Sequence, residues 1–226
     1  MKGRRFEGLA RKHLLPAMSG FDVRGGLVFA RPLIYLLRGF CCDSSRWDRN
    51  QFCIQVFVQP LFVPKEGMVF TLGDRLGEVL GKQEEWWTLT DDNEQEVMAD
   101  VLGHMQREGP VILDKFKTLR DLATHAVPQH RNPYTLYAPE MAAYAAILIR
   151  DARSAERMFD CAEERFDMSD DRRDWRVAVM ERVRMIRSTF QRNPTEAKAI
   201  LNRWRDETAA NVRLTKYLDP IPADLT

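Results

Sequence analysis

No stretch of the 226-residue chain approaches the roughly 18 apolar residues of a membrane span. The N-terminus, MKGRRFEGLARKHLLPAMSGF, is basic but lacks the continuous apolar run of a secretory signal. Membrane insertion is not expected, and a cytoplasmic protein is. Cysteine is sparse: Cys41, Cys42, Cys53 and Cys161 are too few for a secreted disulfide framework and fit reduced thiols better. The four histidines, His13, His104, His125 and His130, stand apart, and no CxxC completes a zinc set with them. The glycines of GDRLGEVLG (73–81), four residues apart, match neither a P-loop nor the dinucleotide fingerprint. A nucleophile elbow, HExxH and a calcium loop are absent as well. The sequence therefore assigns no catalytic residue, no cofactor and no metal.

What is present is a folded-protein composition, 45% apolar and 30% charged, enough for one sizeable core or two modest ones. A net charge of +1 conceals a segregation. Residues 1–50 carry ten Lys or Arg against four acids, whereas residues 51–110 carry four against eleven. Two such segments either attract one another within the fold or present a polar interaction surface.

Residues 33–63, LIYLLRGFCCDSSRWDRNQFCIQVFVQPLFV, form two β-type runs around a polar turn. Strands are predicted over 33–42 and 51–59. Leu36, Phe40, Cys42, Phe52, Ile54, Val56 and Val58 share a buried face, and Gln51, Cys53, Gln55 and Gln59 share an exposed one. Arg38 interrupts the buried face and is expected where the sheet edge meets solvent. Before this pair, a helix over 3–15 ends at Pro16, and a short hairpin turns at Arg24-Gly25-Gly26, where glycine supplies positive φ. MVFTL (68–72) suggests a further strand. A helix is expected from an Asp91 cap to about Glu108, with Val97, Met98, Val101, Leu102 and Met105 inward and Glu96, Asp100 and Arg107 outward.

The second half reads as helices over about 111–124, 139–150, 154–166, 171–191 and from Pro194 onward. RDARSAERMF (150–159) resembles RNPTEAKAIL (192–201) at an offset of 42, each opening the second helix of a hairpin. That pattern fits either a tetratricopeptide-like array or a plain bundle. The expected class is α+β: a sheet-containing domain over 1–125, a linker over 126–138 and a helical-hairpin domain over 139–218.

Three sets of residues are candidates for function. Glu96 and Asp100 form an acidic patch for a protein partner, and reversing both to Lys is expected to weaken that complex without altering thermal unfolding. Arg173, Arg176, Arg184 and Arg187 fall in one arc of a helix, able to bind phosphates of a nucleic acid or to pair with Glu163, Glu164 and Asp167. His125, His130, Tyr134 and Tyr137 could line an enzyme pocket. Cys41 and Cys53 would face each other if the hairpin turned at Trp47, but packing is the preferred role for the thiols. If the hairpin has a function, its exposed turn from Ser44 to Asn50 is the more promising surface.

An N-terminal helix, the Gly20–Phe29 hairpin, the Phe52–Leu61 run, Gly73-Asp74-Arg75-Leu76, a tryptophan and an acidic helix together resemble bacterial domain-of-unknown-function families over residues 4–120. Some members occur among toxin-immunity proteins. The resemblance implies a small α+β domain followed by helices, an immunity or adaptor role, and no catalytic residue. The expected partner is another protein, with nucleic acid a weaker choice.

Overall fold

The computed structural model describes residues 3–70, 72–129, 135–169, 171 and 173–225. The architecture is α+β, with an N-terminal helix and an antiparallel sheet followed by helices. Two compact units divide the chain. The first comprises Met1–Gln59, Val69–Lys115 and Tyr217–Asp219; the second comprises Pro60–Met68, Phe116–Lys216 and Pro220–Thr226. The expected domains, 1–125 and 139–218 with a linker over 126–138, thus meet a different boundary, at 115. Residues 119–129 are helical and bury Leu119, Leu122, Ala123 and Ala126, so they pack with the helices that follow.

In the first unit α1 (Gly3–Leu9) runs on through a wider turn (Ala10–Leu14) into a tight one that holds Pro16. Its apolar stripe buries Phe6, Leu9, Ala10 and Leu14. β1 (Phe21–Arg24) and β2 (Leu27–Ala30) form the expected hairpin, with Gly25 at φ +58°. β3 (Leu36–Ser44), β4 (Gln51–Pro60) and β5 (Leu72–Arg75) extend the sheet in the order β1-β2-β3-β4-β5, and β6 (Trp87–Thr88) pairs with β4 at Gln51 and Phe52. The strand expected at MVFTL therefore lies later, on Leu72–Arg75.

Burial departs from simple alternation on β4. The even face is covered as expected: Phe52 meets Phe6 and Trp87, with ring centroids at 6.5 and 5.8 Å. Cys53 and Phe57 on the other face are also fully buried, and Gln59 is 2% exposed. Burial of Gln59 is tolerated because its Oε1 accepts from the Val69 N–H at 2.9 Å. Arg38 lies on a central strand rather than at an edge. It donates from Nη1 to the Leu113 carbonyl at 3.2 Å, satisfying an acceptor that a helix end leaves open.

That helix, α2 (Glu94–Leu113), begins three residues after the expected Asp91 cap. Asn93 stands before it, and its Oδ1 accepts from Thr90 N–H at 2.7 Å, so the side chain serves the preceding turn. The helix continues through Pro110, whose ring is on the exposed side. Its inward stripe is Met98, Val101, Met105, Glu108, Gly109 and Leu113. At Gly109 a Cβ would lie 2.5 Å from Phe40 Cζ, so this helix meets the sheet where only glycine fits. The returning Asp219 carboxylate completes the unit by accepting from Arg31 Nε at 3.1 Å, Arg31 Nη2 at 2.8 Å and Leu33 N–H at 2.6 Å.

The second unit holds α3 (Leu119–Gln129), α4 (Tyr137–Leu148), α5 (Ala152–Asp167), α6 (Asp174–Arg192) and α7 (Pro194–Asn211). The repeat read at an offset of 42 is real at the helix starts. Asp151 caps α5 by accepting from Ser154 N–H at 3.0 Å, and Asn193 caps α7 by accepting from Thr195 and Glu196 N–H at 3.1 and 3.2 Å. Yet α4 touches α3, α5, α6 and α7, which is bundle packing around one helix rather than nearest-neighbour stacking. Alanines at 138, 142, 143, 145 and 146 let the surrounding helices approach it, and every residue from Ala138 to Leu148 is buried. Segment 60–68 is tied to α7: Thr208 Oγ1 donates to the Val63 carbonyl at 3.4 Å and Asn211 Nδ2 to the Lys65 carbonyl at 2.8 Å.

Candidate functional site

The two oppositely charged segments of the sequence meet inside the first unit. Arg5 pairs with Asp91 at 3.0 Å, and Lys12 and His13 both reach Glu94 Oε1, at 2.8 and 2.9 Å. Lys12, and after it His13, hold the Glu94 carboxyl below its usual range. Of the proposed acidic patch on α2, Glu96 is exposed, while Asp100 accepts from Trp87 Nε1 at 2.8 Å. Asp100 therefore has a structural task, and reversing it to Lys breaks a hydrogen bond that holds Trp87. One turn further, His104 Nδ1 lies 2.8 Å from the buried Glu108 carboxylate, whose other oxygen accepts from Gly77 N–H at 2.6 Å. Gly77 has φ +90°, and a Cβ there would lie 2.1 Å from the Gln83 carbonyl oxygen. This network closes the loop after β5 and leaves His104 a structural role.

The three thiols of the sheet, Cys41, Cys42 and Cys53, are poor nucleophiles. All four cysteines are free. Burial pushes Cys41 up to about 12 and Cys53 up to about 11, and raises Cys42 further, so these three stay protonated at neutral pH. Among the described residues no group of three or more His, Cys, Asp or Glu gathers as a metal site would require.

At the outer end of β3 and β4 the structure exposes a different surface. Ser45 N–H donates to the Gln51 carbonyl at 3.0 Å, while Ser45 Oγ accepts from Trp47 and Asp48 N–H, both at 3.2 Å, so the turn is well ordered by its own bonds. It holds Trp47 at 97% exposure. Asp43, Ser44, Ser45, Arg46, Gln51 and Arg75 complete, with Trp47 and Trp86, an open groove of about 490 Å³. Arg75 is engaged by Asp43 at 3.2 Å and by Glu84, and its guanidinium lies 5.5 Å from the Trp86 ring centre. Arg46 is exposed and has no ion-pair partner among the described residues. The lone aromatic within SSRWDRN is the sequence signal for this surface.

The arginine arc is largely spent within the second unit. Arg173 pairs with Asp171 at 2.7 Å, Arg176 is buried and donates to the Arg165 carbonyl at 3.1 Å, and Arg184 lies 3.9 Å from Glu163. Arg187 meets Glu156, Asp160 and Glu163 at 2.8, 2.7 and 3.6 Å. Of the residues named for an enzyme pocket, His130 and Tyr134 lie outside the described residues and His125 is exposed on α3.

Tyr137, the fourth of them, belongs to a polar cluster the sequence reading missed. Tyr137, Glu140 and Tyr144 share one face of α4 at helical spacing. Glu140 has 0% exposure and accepts from Arg182 Nε of α6 at 2.6 Å. Lys65 Nζ sits 4.1 Å above the Tyr137 ring, whose plane stacks on Trp175 at 5.4 Å. Burial lowers the Lys65 pKa against the pull of Glu140, and burial followed by Glu140 raises that of Tyr137. Tyr144 is raised well above its ordinary value, by burial first and then by Glu140. The Tyr144 hydroxyl and Glu140 Oε2 are buried without a hydrogen bond of good geometry, but Glu140 and Arg182 both lie close enough to act on that hydroxyl. The signal was a single acid inside the apolar run PEMAAYAAIL.

No family model, curated protein or solved structure matches this chain. The resemblance of residues 4–120 thus rests on the motifs that suggested it.

Proposed function

We propose that the protein binds another protein through the groove at the tip of the β3–β4 hairpin, as an adaptor or immunity protein would. The observation that carries this reading is Trp47, held at 97% exposure by a turn with its own hydrogen bonds. An indole so displayed gains nothing in the isolated chain, whereas tryptophan beside arginine is the composition of binding hot spots. The partner surface is an apolar pocket for Trp47 with carboxylates on its rim to meet Arg46. The same reading assigns the protein to the cytoplasm, supported by its four free thiols.

The test is a titration with a protein first captured by crosslinking in a host lysate and then purified. Trp47→Ala should weaken binding by about 30-fold, matching the roughly 2 kcal/mol of a hot-spot residue. Arg46→Glu should slow association, and neither change should move thermal unfolding. Equal affinity of Trp47→Ala and wild type rejects the groove. Concentration-dependent dimerisation abolished by Trp47→Ala would replace the foreign partner with a second copy.

A further inference from the structure

Asp100, His104 and Glu108 stand four residues apart on α2 and form one stripe beside the loop that joins β5 to β6. The two carboxylates hold the two ends of that loop. Glu108 Oε2 accepts from Gly77 N–H at 2.6 Å, and Asp100 Oδ2 accepts from Trp87 Nε1 at 2.8 Å. Between these anchors the loop carries Glu84, bonded to Arg75, and Trp86, which lines the groove with Trp47. His104 lies between the carboxylates, with its side chain 15% exposed, Nδ1 2.8 Å from Glu108 Oε1 and Nε2 3.9 Å from Asp100 Oδ1. Its ring meets Trp87 edge-on, with centroids 5.5 Å apart. Nδ1 also lies 2.9 Å from Arg107 Nη2, which is itself 3.2 Å from Glu108 Oε1. One ring nitrogen cannot serve both neighbours: the carboxylate needs an N–H there, and the guanidinium, which only donates, needs a lone pair. The site therefore has two bonding schemes that differ by a proton on Nδ1. A neutral ring has one N–H and serves one carboxylate, whereas the cation serves both and turns the half-exposed Arg107 away. On the other elements packed against α2, Arg11 pairs with Glu7, Lys12 and His13 with Glu94, Arg38 donates to the Leu113 carbonyl, and Glu78 accepts from the Arg75 N–H at 3.4 Å. Among the described residues, the charged groups that meet the His104 ring are Asp100, Arg107 and Glu108.

We infer that His104 is a proton-operated clamp on residues 76–87 and that it regulates the groove. Proton uptake converts a ring that ties one carboxylate into a ring that ties both, and so fixes the loop at Gly77 and Trp87 together. Trp86, the neighbour of Trp87, is then held where it lines the groove, and the partner binds more tightly in mild acid than at alkaline pH. This last step rests on the groove being the partner site; the clamp on the loop does not.

The experiment measures amide hydrogen exchange of the full chain by mass spectrometry from about pH 8 to about pH 5.5, each rate divided by the intrinsic rate at that pH. Protection of residues 76–87 should rise about fivefold toward acid, as an imidazolium replaces a neutral ring between the carboxylates. His104→Gln should abolish the rise, and His125→Gln, exposed on α3, should preserve it. Should His104→Gln fail to fold, nuclear magnetic resonance of the wild type decides: the Gly77 amide resonance should move with the same midpoint as the His104 ring. Protection of 76–87 that does not change with pH, a rise that survives in folded His104→Gln, or a Gly77 amide indifferent to the His104 titration overturns the clamp. No partner enters these measurements, so their failure is distinct from failure of the groove. For regulation of the groove, the captured partner should bind wild type about fivefold more tightly at about pH 6 than at about pH 8, and His104→Gln should lose that preference. No preference in the wild type, or one that persists in His104→Gln, overturns the regulation.

Discussion

In the first unit Arg5 of α1 reaches the exposed Asp91, and Lys12 of the turn that follows reaches the half-exposed Glu94. In the second, Arg182 reaches a carboxylate with no exposure at all. The two arrangements obey the same Coulomb law in different surroundings. At the surface water and salt screen the attraction, and holding two long side chains together costs entropy, so little net stability results. Inside, both groups have lost hydration, and each becomes indispensable to the other even if the pair as a whole is no better than two apolar residues. The pairs of Arg5 and Lys12 therefore accompany a fold held by packing, whereas the Glu140–Arg182 pair is part of the core of the second unit.

The sharpest way to break this contrast is Arg182→Ala. It leaves Glu140 buried and unpaired and should destabilise the second unit by about 3–5 kcal/mol. Urea unfolding followed by tryptophan fluorescence measures the loss, and the double change Glu140→Leu with Arg182→Met should recover most of it. Loss confined to a few tenths of a kcal/mol would mean that Glu140 finds another donor. In the first unit the comparable test addresses packing. Gly109→Ala drives a Cβ to 2.5 Å from Phe40 Cζ, and overpacking of that kind should cost about 1–3 kcal/mol in the same assay.

A smaller effect of opposite sign is expected at the end of α7. Arg213 adopts φ +61° there, where Leu214 N–H bonds the Ala209 carbonyl at 2.7 Å. Arg213→Gly removes the steric cost of a left-handed side-chain residue and should stabilise the second unit by about 1 kcal/mol. Acid should then weaken the C-terminal return in the first unit. Arg31, helped by the Leu33 N–H and opposed by slight burial, holds the Asp219 carboxyl below its usual range. A folded-state pKa below the unfolded one stabilises at pH above about 4 and loses that contribution as pH falls through the folded value. Wild type and Asp219→Asn should therefore differ in stability at neutral pH and converge in acid, as read by circular dichroism. The least effect belongs to Arg5→Ala combined with Lys12→Ala, which should leave the midpoint unchanged at physiological salt and become visible only at low ionic strength.

Much of the frame was legible from periodicity and turn chemistry. Gly25 marked the first hairpin, Asn193-Pro194 marked the start of α7, and the offset of 42 residues marked two matching helix starts. The errors have a common cause. Cys53 and Gln59 read as an exposed face alternating with a buried one, but both faces of this central strand are covered, which erases the alternation. Likewise α2 starts late because Asn93 bonds backward to Thr90, a choice that spacing alone does not reveal.

The sequence by itself determined the class of fold, most helix and strand locations, the poverty of catalytic signatures and the presence of an exposed polar turn. These follow from local rules: side-chain periodicity, proline and glycine geometry, and caps a few residues away. Only the tertiary structure decided that Asp100 serves Trp87, that three arginines of the arc meet acids while Arg176 meets a backbone carbonyl, and that Lys65, Glu140 and Arg182 come from three separate stretches of chain. Electrostatic partnership depends on distance and burial in space, and neither is encoded by any one segment.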